Sequence, residues 1–223
     1  MTRSKKSSIE DRARVFTALG DPRRLAIAES LVASHRTPSE LMEITGFSSS
    51  LLTHHLEILE KAGVTYRIDG TADRRKRFIA LVDSARSFLS RPSIKGPVLF
   101  VCSQNSARSQ LASAIWQSEV GGAVSSAGTN PAVAIHPLAI DVASDHGLDL
   151  SIARPRKITE SALRGSTVIT VCDQAHDELA GPHRRFHWSI PDPASSGRKR
   201  DFESAFDQIS KIIKSMKGNS HVI

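Results

Sequence analysis

Residues Val98 to Gln110 read VLFVCSQNSARSQ, an apolar run that delivers Cys102, then five residues, then Arg108 and Ser109. A thiol and a guanidinium framing a short polar loop make a trap for a tetrahedral oxyanion. A loop between a strand end and a helix start turns successive backbone N–H groups inward, and the helix dipole adds positive potential there. The planar fork of Arg108 closes the cradle with paired donors. Such a field favours the thiolate of Cys102 and makes it a nucleophile. The spacing predicts a loop of Ser103, Gln104, Asn105, Ser106, Ala107 and Ser109 that binds an anion while Cys102 attacks it.

Positioning such a loop requires a strand before it and a helix after it, and the flanking runs GPVLFVC and SQLASAIWQSEV have those periods. The alternation continues through AVSSAG, HPLAIDVASDHG, STVITVC, RFHWSI and DFESAFDQISKIIKSM. It predicts an α/β three-layer domain with a small parallel sheet, over residues 97–217. In that architecture the active site lies at the carboxyl ends of the strands, where Cys102, Cys172 and Asp192 all fall. Asp192 stands between Pro191 and Pro193, on a stiff loop from which a carboxylic acid can protonate a leaving oxygen.

The segments VCSQNSARSQ, SAGTNP, VITVCDQA and HWSIPDPA together resemble the low-molecular-weight protein tyrosine phosphatase superfamily, and specifically its thiol-coupled arsenate reductase branch. The resemblance implies Cys102 as nucleophile, Arg108 as oxyanion clamp, Asn105 as a brace for loop carbonyls, Ser109 as hydroxyl donor to the thiolate and Asp192 as general acid. Gln110 and Ala194 favour the reductase branch, because tyrosine phosphatases of this fold usually carry Pro and an aromatic residue there.

The second cysteine decides the chemistry. A phosphatase needs only Cys102, Arg108 and Asp192, whereas an arsenate reductase also needs a thiol to attack the arsenic adduct of Cys102. Cys172 matches the family position of that resolving thiol. Thioredoxin-coupled relatives carry a third cysteine about seven residues on, where this chain reads HDELAGP. The electron donor therefore stays open between a redoxin such as thioredoxin and a small thiol such as mycothiol or glutathione, with no tightly bound cofactor expected. A protein tyrosine phosphatase, or a domain that senses an oxyanion or oxidation without turnover and so controls DNA binding, remains the alternative.

The other half of the chain points to DNA. Apolar positions recur at helical spacing from Glu10, with Asp21 and Pro22 placed to start a second helix and PSELMEITG a third. FSSSLLTHHLEILEKAG then gives a helix capped by Ser48 or Ser49, so the pair forms a helix-turn-helix whose second member enters the major groove. Its leading side chains are Ser49, Ser50, Thr53 and His54. VTYRIDG and KRFIALV alternate like strands around a tip carrying Arg74, Arg75, Lys76 and Arg77, a wing suited to phosphate contacts. The whole resembles the ArsR-type winged-helix repressors, which implies a homodimer on a pseudo-palindromic, double-stranded DNA operator. The third helix, ELMEIT, lacks the cysteine pair that arsenic and cadmium sensors carry. His54 and His55 are adjacent on a helix and point about 100° apart, so no metal site is assigned.

Charge agrees with this division: the net +7 is distributed as +6 over residues 1–95 and +1 over 96–223. The expected layout is a disordered basic tail at 1–9, an α+β winged helix-turn-helix domain at 10–90, a linker at 91–96, the phosphatase-like domain at 97–217 and a tail at 218–223. Two cysteines are too few for a disulfide scaffold, and no run approaches the ~20 apolar residues of a membrane span, so a cytoplasmic protein without membrane association is expected.

Overall fold

The computed structural model describes residues 8–90, 94, 96–179 and 185–216, and the chain divides into two compact units. In the first, helix α1 (Ile9–Leu19) begins at Ser8, whose hydroxyl accepts from the Asp11 amide while Asp11 returns the bond. Ser8 and Ile9 thus start a helix instead of ending the expected tail, because the S-x-x-D pattern supplies a capping box; residues 1–7 lie outside the described range. Asp21 caps α2 (Pro22–Ser30) by accepting from the Arg23 and Arg24 amides. Thr37 and Glu40 form the box that starts α3 (Pro38–Thr45), and Gly46 ends it at φ 70°, where a side chain would be strained. Ser48 then caps α4 (Ser49–Lys61). Strands β1 (Thr65–Asp69) and β2 (Arg77–Leu81) pair antiparallel with Thr65 opposite Leu81, and the short α5 (Asp83–Arg86), which hydrophobic periodicity did not indicate, follows. Ile27, Leu31, Leu41, Leu52 and Leu59 fill the core beneath α4, each stabilising the unit by about 1.5–3 kcal/mol.

The second unit is the α/β three-layer domain. Its elements are β3 (Val98–Cys102), α6 (Arg108–Glu119), β4 (Val124–Gly128), α7 (Pro137–Asp145), α8 (Glu160–Gly165), β5 (Thr167–Thr170), α9 (Asp173–Glu178), β6 (Arg185–His187) and α10 (Lys199–Met216). The strands run parallel in the order β4-β3-β5-β6. Every residue of β3 is buried, as a parallel strand covered on both faces requires. From β3 the chain goes first to one neighbour and then to the other, so the carboxyl end of β3 is the point where strand order reverses, and a crevice opens there. Helix α10 lays Phe202, Phe206, Ile209 and Ile213 into the core at helical spacing, against α6 and α7.

Two strands are shorter than their sequence runs suggest, and the RFHWSI run keeps only Arg185–His187 as strand. The expected STVITVC strand stops at Thr170, and Cys172 lies beyond it as the cap of α9. Helices α8 and α9 are six residues each, too short for periodicity to reveal. Of the expected linker, residues 91–93 and 95 lie outside the described range, as does the tail 218–223; Ile94 packs on the second core. Among the described residues no helix is long and apolar enough to cross a membrane.

Candidate active site

The catalytic-type loop is held from outside by its carbonyls. The backbone oxygens of Cys102, Ser103, Gln104 and Ser106 accept from the amides of Thr129, Asn130, Ala132 and His136 at 3.2, 2.8, 2.9 and 2.9 Å. With the carbonyls drawn outward, the intervening amides are left to the inside, and the Asn105 N–H donates to Cys102 Sγ at 3.2 Å. The loop approaches β4 so closely that a Cβ on Gly128 would lie 2.6 Å from the Ser103 oxygen. The motif SAGTNP thus needs its glycine for contact with the loop, a reason the motif alone does not reveal.

Asn105 is fully buried and has φ 50°, the single left-handed non-glycine among the described residues. Its Oδ1 accepts from the Arg156 amide at 2.9 Å and from Gln110 Nε2 at 3.1 Å. Both are donors, so the amide orientation is fixed and Nδ2 is the group that donates to Ser109 Oγ at 2.8 Å. Ser109 Oγ lies 3.0 Å from Cys102 Sγ. The brace expected of Asn105 on the loop carbonyls is supplied instead by the amides from 129 to 136 and by Gln110, which donates to the Asn105 oxygen at 3.1 Å. Asn105 itself joins Ser109 to the 154–157 segment.

Arg108 opens α6 as its first residue. Nη1 donates to the Ile190 carbonyl at 3.0 Å and Nη2 stands 3.4 Å from Asp192 Oδ2. Asp192 is half exposed; its other oxygen accepts from the Ala194 amide at 3.2 Å and so caps the 3-10 turn Pro193–Ser195. The acid and the guanidinium therefore face each other across the mouth of the loop. The Ile190 carbonyl had no sequence signal.

Cys172 belongs to the same constellation. Its sulfur accepts from the Ser103 amide at 3.2 Å and lies 3.6 Å from Ser103 Oγ, in the residue next to Cys102. It also caps α9, accepting from the Ala175 amide at 3.4 Å. Burial pushes its pKa up against the opposing pull of Arg108. Both thiols are free and buried. Next to Cys172, Asp173 is paired with His187 at 3.1 Å, both 1% exposed. Burial alone would raise the Asp173 pKa, but hydrogen bonds led by that from His187 hold it well below the usual carboxylate range. No local motif signals this pair, since its members stand 14 positions apart. The site can thus seat a tetrahedral oxyanion against inward amides and Arg108, with one thiol in line, a second thiol one residue away and an acid at the mouth.

In the first unit Ser49, Ser50, Thr53 and His54 all lie exposed on α4, while His55 is buried against Phe47 with ring centroids 5.6 Å apart. The Thr53 hydroxyl donates to the Ser49 carbonyl at 2.8 Å. Arg77 is paired with Asp69 at 3.4 Å, and in the hairpin tip Gly70–Arg75, which groups with the second unit, Arg75 is paired with Asp73 at 3.0 Å, so the expected cluster of four cations is partly neutralised within the hairpin. Among the described residues no group of three or more His, Cys, Asp or Glu side chains is placed to hold a metal ion.

Comparison with known proteins agrees with both halves. The family model of the low molecular weight phosphotyrosine protein phosphatases matches residues 97–219, and that of the bacterial regulatory proteins of the arsR family matches residues 21–65. The chain is similar to arsenate reductase 1 of Staphylococcus haemolyticus, 32% identical over 130 residues that cover 55% of this chain and 96% of the relative. In fold it is similar to the tyrosine phosphatase AmsI of Erwinia amylovora, with a TM-score of 0.50, 18% identity and coverage of 56% of this chain and 91% of that one. A YwlE mutant from Bacillus subtilis gives a TM-score of 0.51 at 20% identity, covering 55% and 97%. The chain belongs to the low molecular weight phosphotyrosine protein phosphatase family and carries, ahead of that domain, the helix-turn-helix of the ArsR family.

Proposed function

We propose that the protein is an ArsR-type transcriptional regulator whose carboxy-terminal domain reduces arsenate to arsenite. The observation that carries the reading is Cys172, whose buried sulfur is held by the amide of Ser103, the residue after Cys102. Hydrolysis of a phosphoester has no use for a second thiol there. The curated relative at 32% identity, which bears the name arsenate reductase, supports the same chemistry.

In the proposed reaction arsenate sits on the inward amides and Arg108. The Cys102 thiolate attacks arsenic; an As–S bond forms, an As–O bond breaks, and Asp192 supplies a proton so that the oxygen leaves as water. The Cys172 thiolate then attacks Cys102 Sγ. A disulfide forms, the As–S electron pair stays on arsenic, and As(V) leaves as arsenite, As(III). An external thiol restores the pair. The winged helix binds double-stranded operator DNA as a homodimer, with Ser49, Ser50, Thr53 and His54 at base edges and the wing cations at phosphates.

The test is arsenate-dependent arsenite release by the full chain, with thioredoxin, mycothiol with mycoredoxin, and glutathione with glutaredoxin supplied separately and para-nitrophenyl phosphate hydrolysis run in parallel. Turnover that disappears in both Cys102→Ser and Cys172→Ser supports the reading. Hydrolysis indifferent to Cys172→Ser, with no arsenite formed, overturns it in favour of a phosphatase.

A further inference from the structure

The segment from Asp149 to Ile158 is built onto the catalytic-type loop. The Arg156 amide donates to Asn105 Oδ1 at 2.9 Å, the Arg154 carbonyl accepts from Gln110 Nε2 at 3.3 Å, and Lys157 bridges to Gly128 beside the loop. These anchors are backbone. The side chains of Arg154, Arg156 and Lys157 are exposed, and none of the three makes an ion pair among the described residues. Arg154 donates to the Ser151 and Ala153 carbonyls and Lys157 to the Thr129 carbonyl, so both cations are held near the site without being neutralised. The one acid of the segment, Asp149, is turned onto the Ser151 amide at 2.8 Å. Beside them Ile152 is 85% exposed, and Val133, on the segment that holds the loop carbonyls, is fully exposed. In a domain of nearly balanced charge this is a local field of three cations at the margin of an anion site, with apolar flanks.

We infer that this segment docks a small anionic thiol, a carboxylate-bearing peptide thiol of the glutathione kind, as the electron donor of the reductase; the inference rests on the reductase reading. Cys102 and Cys172 are 2% and 1% exposed, so a slender thiol reaches them where the face of a folded redoxin does not. The carboxylates pair with Arg154, Arg156 and Lys157, and the methylene body lies along Ile152 and Val133. One bound thiolate attacks a sulfur of the Cys102–Cys172 disulfide, forming a mixed disulfide and releasing the other protein sulfur as thiolate. A second equivalent attacks the mixed disulfide, restores the second protein thiol and leaves as the small-molecule disulfide. The two electrons come from the two thiols.

The experiment compares glutathione with its diethyl ester, which keeps the thiol and loses the carboxylates, in arsenate reduction by the full chain. Binding of unreactive S-methylglutathione is measured calorimetrically alongside. The variant is Arg154→Gln/Arg156→Gln/Lys157→Gln, which keeps the backbone anchors, and Arg154→Lys/Arg156→Lys is the charge-preserving control. Three exposed charge contacts predict a KM for the ester about tenfold above that for glutathione. The Gln variant should raise the glutathione KM by about the same factor, leave the ester unchanged and lose S-methylglutathione binding, while the Lys control keeps all three near their starting values. Equal KM values for acid and ester, S-methylglutathione binding that is absent or indifferent to the Gln variant, or turnover with thioredoxin alone would overturn the inference. Charge-dependent S-methylglutathione binding with no arsenite from any donor would sustain the docking surface and overturn the reductase reading instead.

Discussion

Ser109 Oγ stands 3.0 Å from Cys102 Sγ, and its lone pair is already engaged by Asn105 Nδ2 at 2.8 Å. Asn105 Nδ2 takes one Ser109 lone pair and leaves the hydroxyl proton free, so when Cys102 reacts as a thiolate Ser109 is placed to donate to the sulfur. A hydrogen bond to a charged group contributes about 1.5–3 kcal/mol. Ser109→Ala is therefore expected to slow iodoacetamide alkylation of Cys102 at neutral pH by about tenfold or more. An unchanged alkylation rate would show that the hydroxyl does not act on the sulfur.

Burial raises the pKa of Cys172. Attack on Cys102 requires the Cys172 thiolate, whose population falls as pH falls and keeps rising past the ordinary thiol range of about 8.5. Disulfide formation in single-turnover arsenate reduction should accordingly quicken with pH through neutrality and into the alkaline range. Rapid quench followed by thiol counting at successive pH values measures it; a plateau reached by pH 7 would contradict the buried-thiol account.

Gly128 meets the loop through its missing side chain. A Cβ placed there lies 2.6 Å from the Ser103 oxygen and 3.1 Å from Asn105 Cβ, so the loop must shift. Gly128→Ala should cost about 1–3 kcal/mol of stability, in the range of an overpacked core, and should weaken phosphate binding together with arsenate turnover. Thermal melting and phosphate titration give the two readouts, and full retention of both would mean that the loop is not held as described.

The Asp173–His187 pair supports the base of the second thiol. Removing one member of a buried pair typically costs about 3–5 kcal/mol, so Asp173→Ala should be strongly destabilising by denaturant unfolding. The sign of the pH dependence follows from the depressed carboxylate: its contribution is present above the unfolded Asp pKa of about 3.9 and is lost as pH falls towards the native value. Wild-type stability should thus fall more steeply below about pH 4 than that of the Asp173→Asn protein.

On the DNA side, Arg74→Ala should lower the salt slope of operator binding by about one and weaken all sequences alike, whereas His54→Ala should mainly relax discrimination between operator and mutated sites. Titrations at several salt concentrations on both DNAs separate the two. Equal losses on every sequence for both variants would remove α4 from the role of reader.

The sequence was most readable where chemistry and local periodicity coincide. Cys102, Arg108 and Ser109 are close in the chain and share one strand–loop–helix unit, so their convergence follows from short-range geometry. The same holds for Thr37 with Glu40 and for Ser48, whose caps are three-residue patterns. Less readable were the contacts between distant segments: the Arg156 amide on Asn105, the Ile190 carbonyl on Arg108, His187 on Asp173. Backbone donors and acceptors carry no residue signature, and a pairing across 51 or 82 positions depends on sheet order, which only the folded chain fixes. The six-residue α9 likewise has too few turns to show a period, and the apolar run before it carries the strand pattern as far as Cys172.

Cys172 does for α9 what a serine usually does for a helix, accepting the Ala175 amide with its sulfur. A cap contributes about 1 kcal/mol, and a helix of six residues has little cooperative stability of its own. In the proposed disulfide that sulfur would be drawn towards Cys102 and away from the Ala175 amide, so oxidation of the pair is expected to loosen the first turn of α9. The exchange rate of the Ala175 amide hydrogen would then serve as a built-in gauge of how many molecules in a population await reduction.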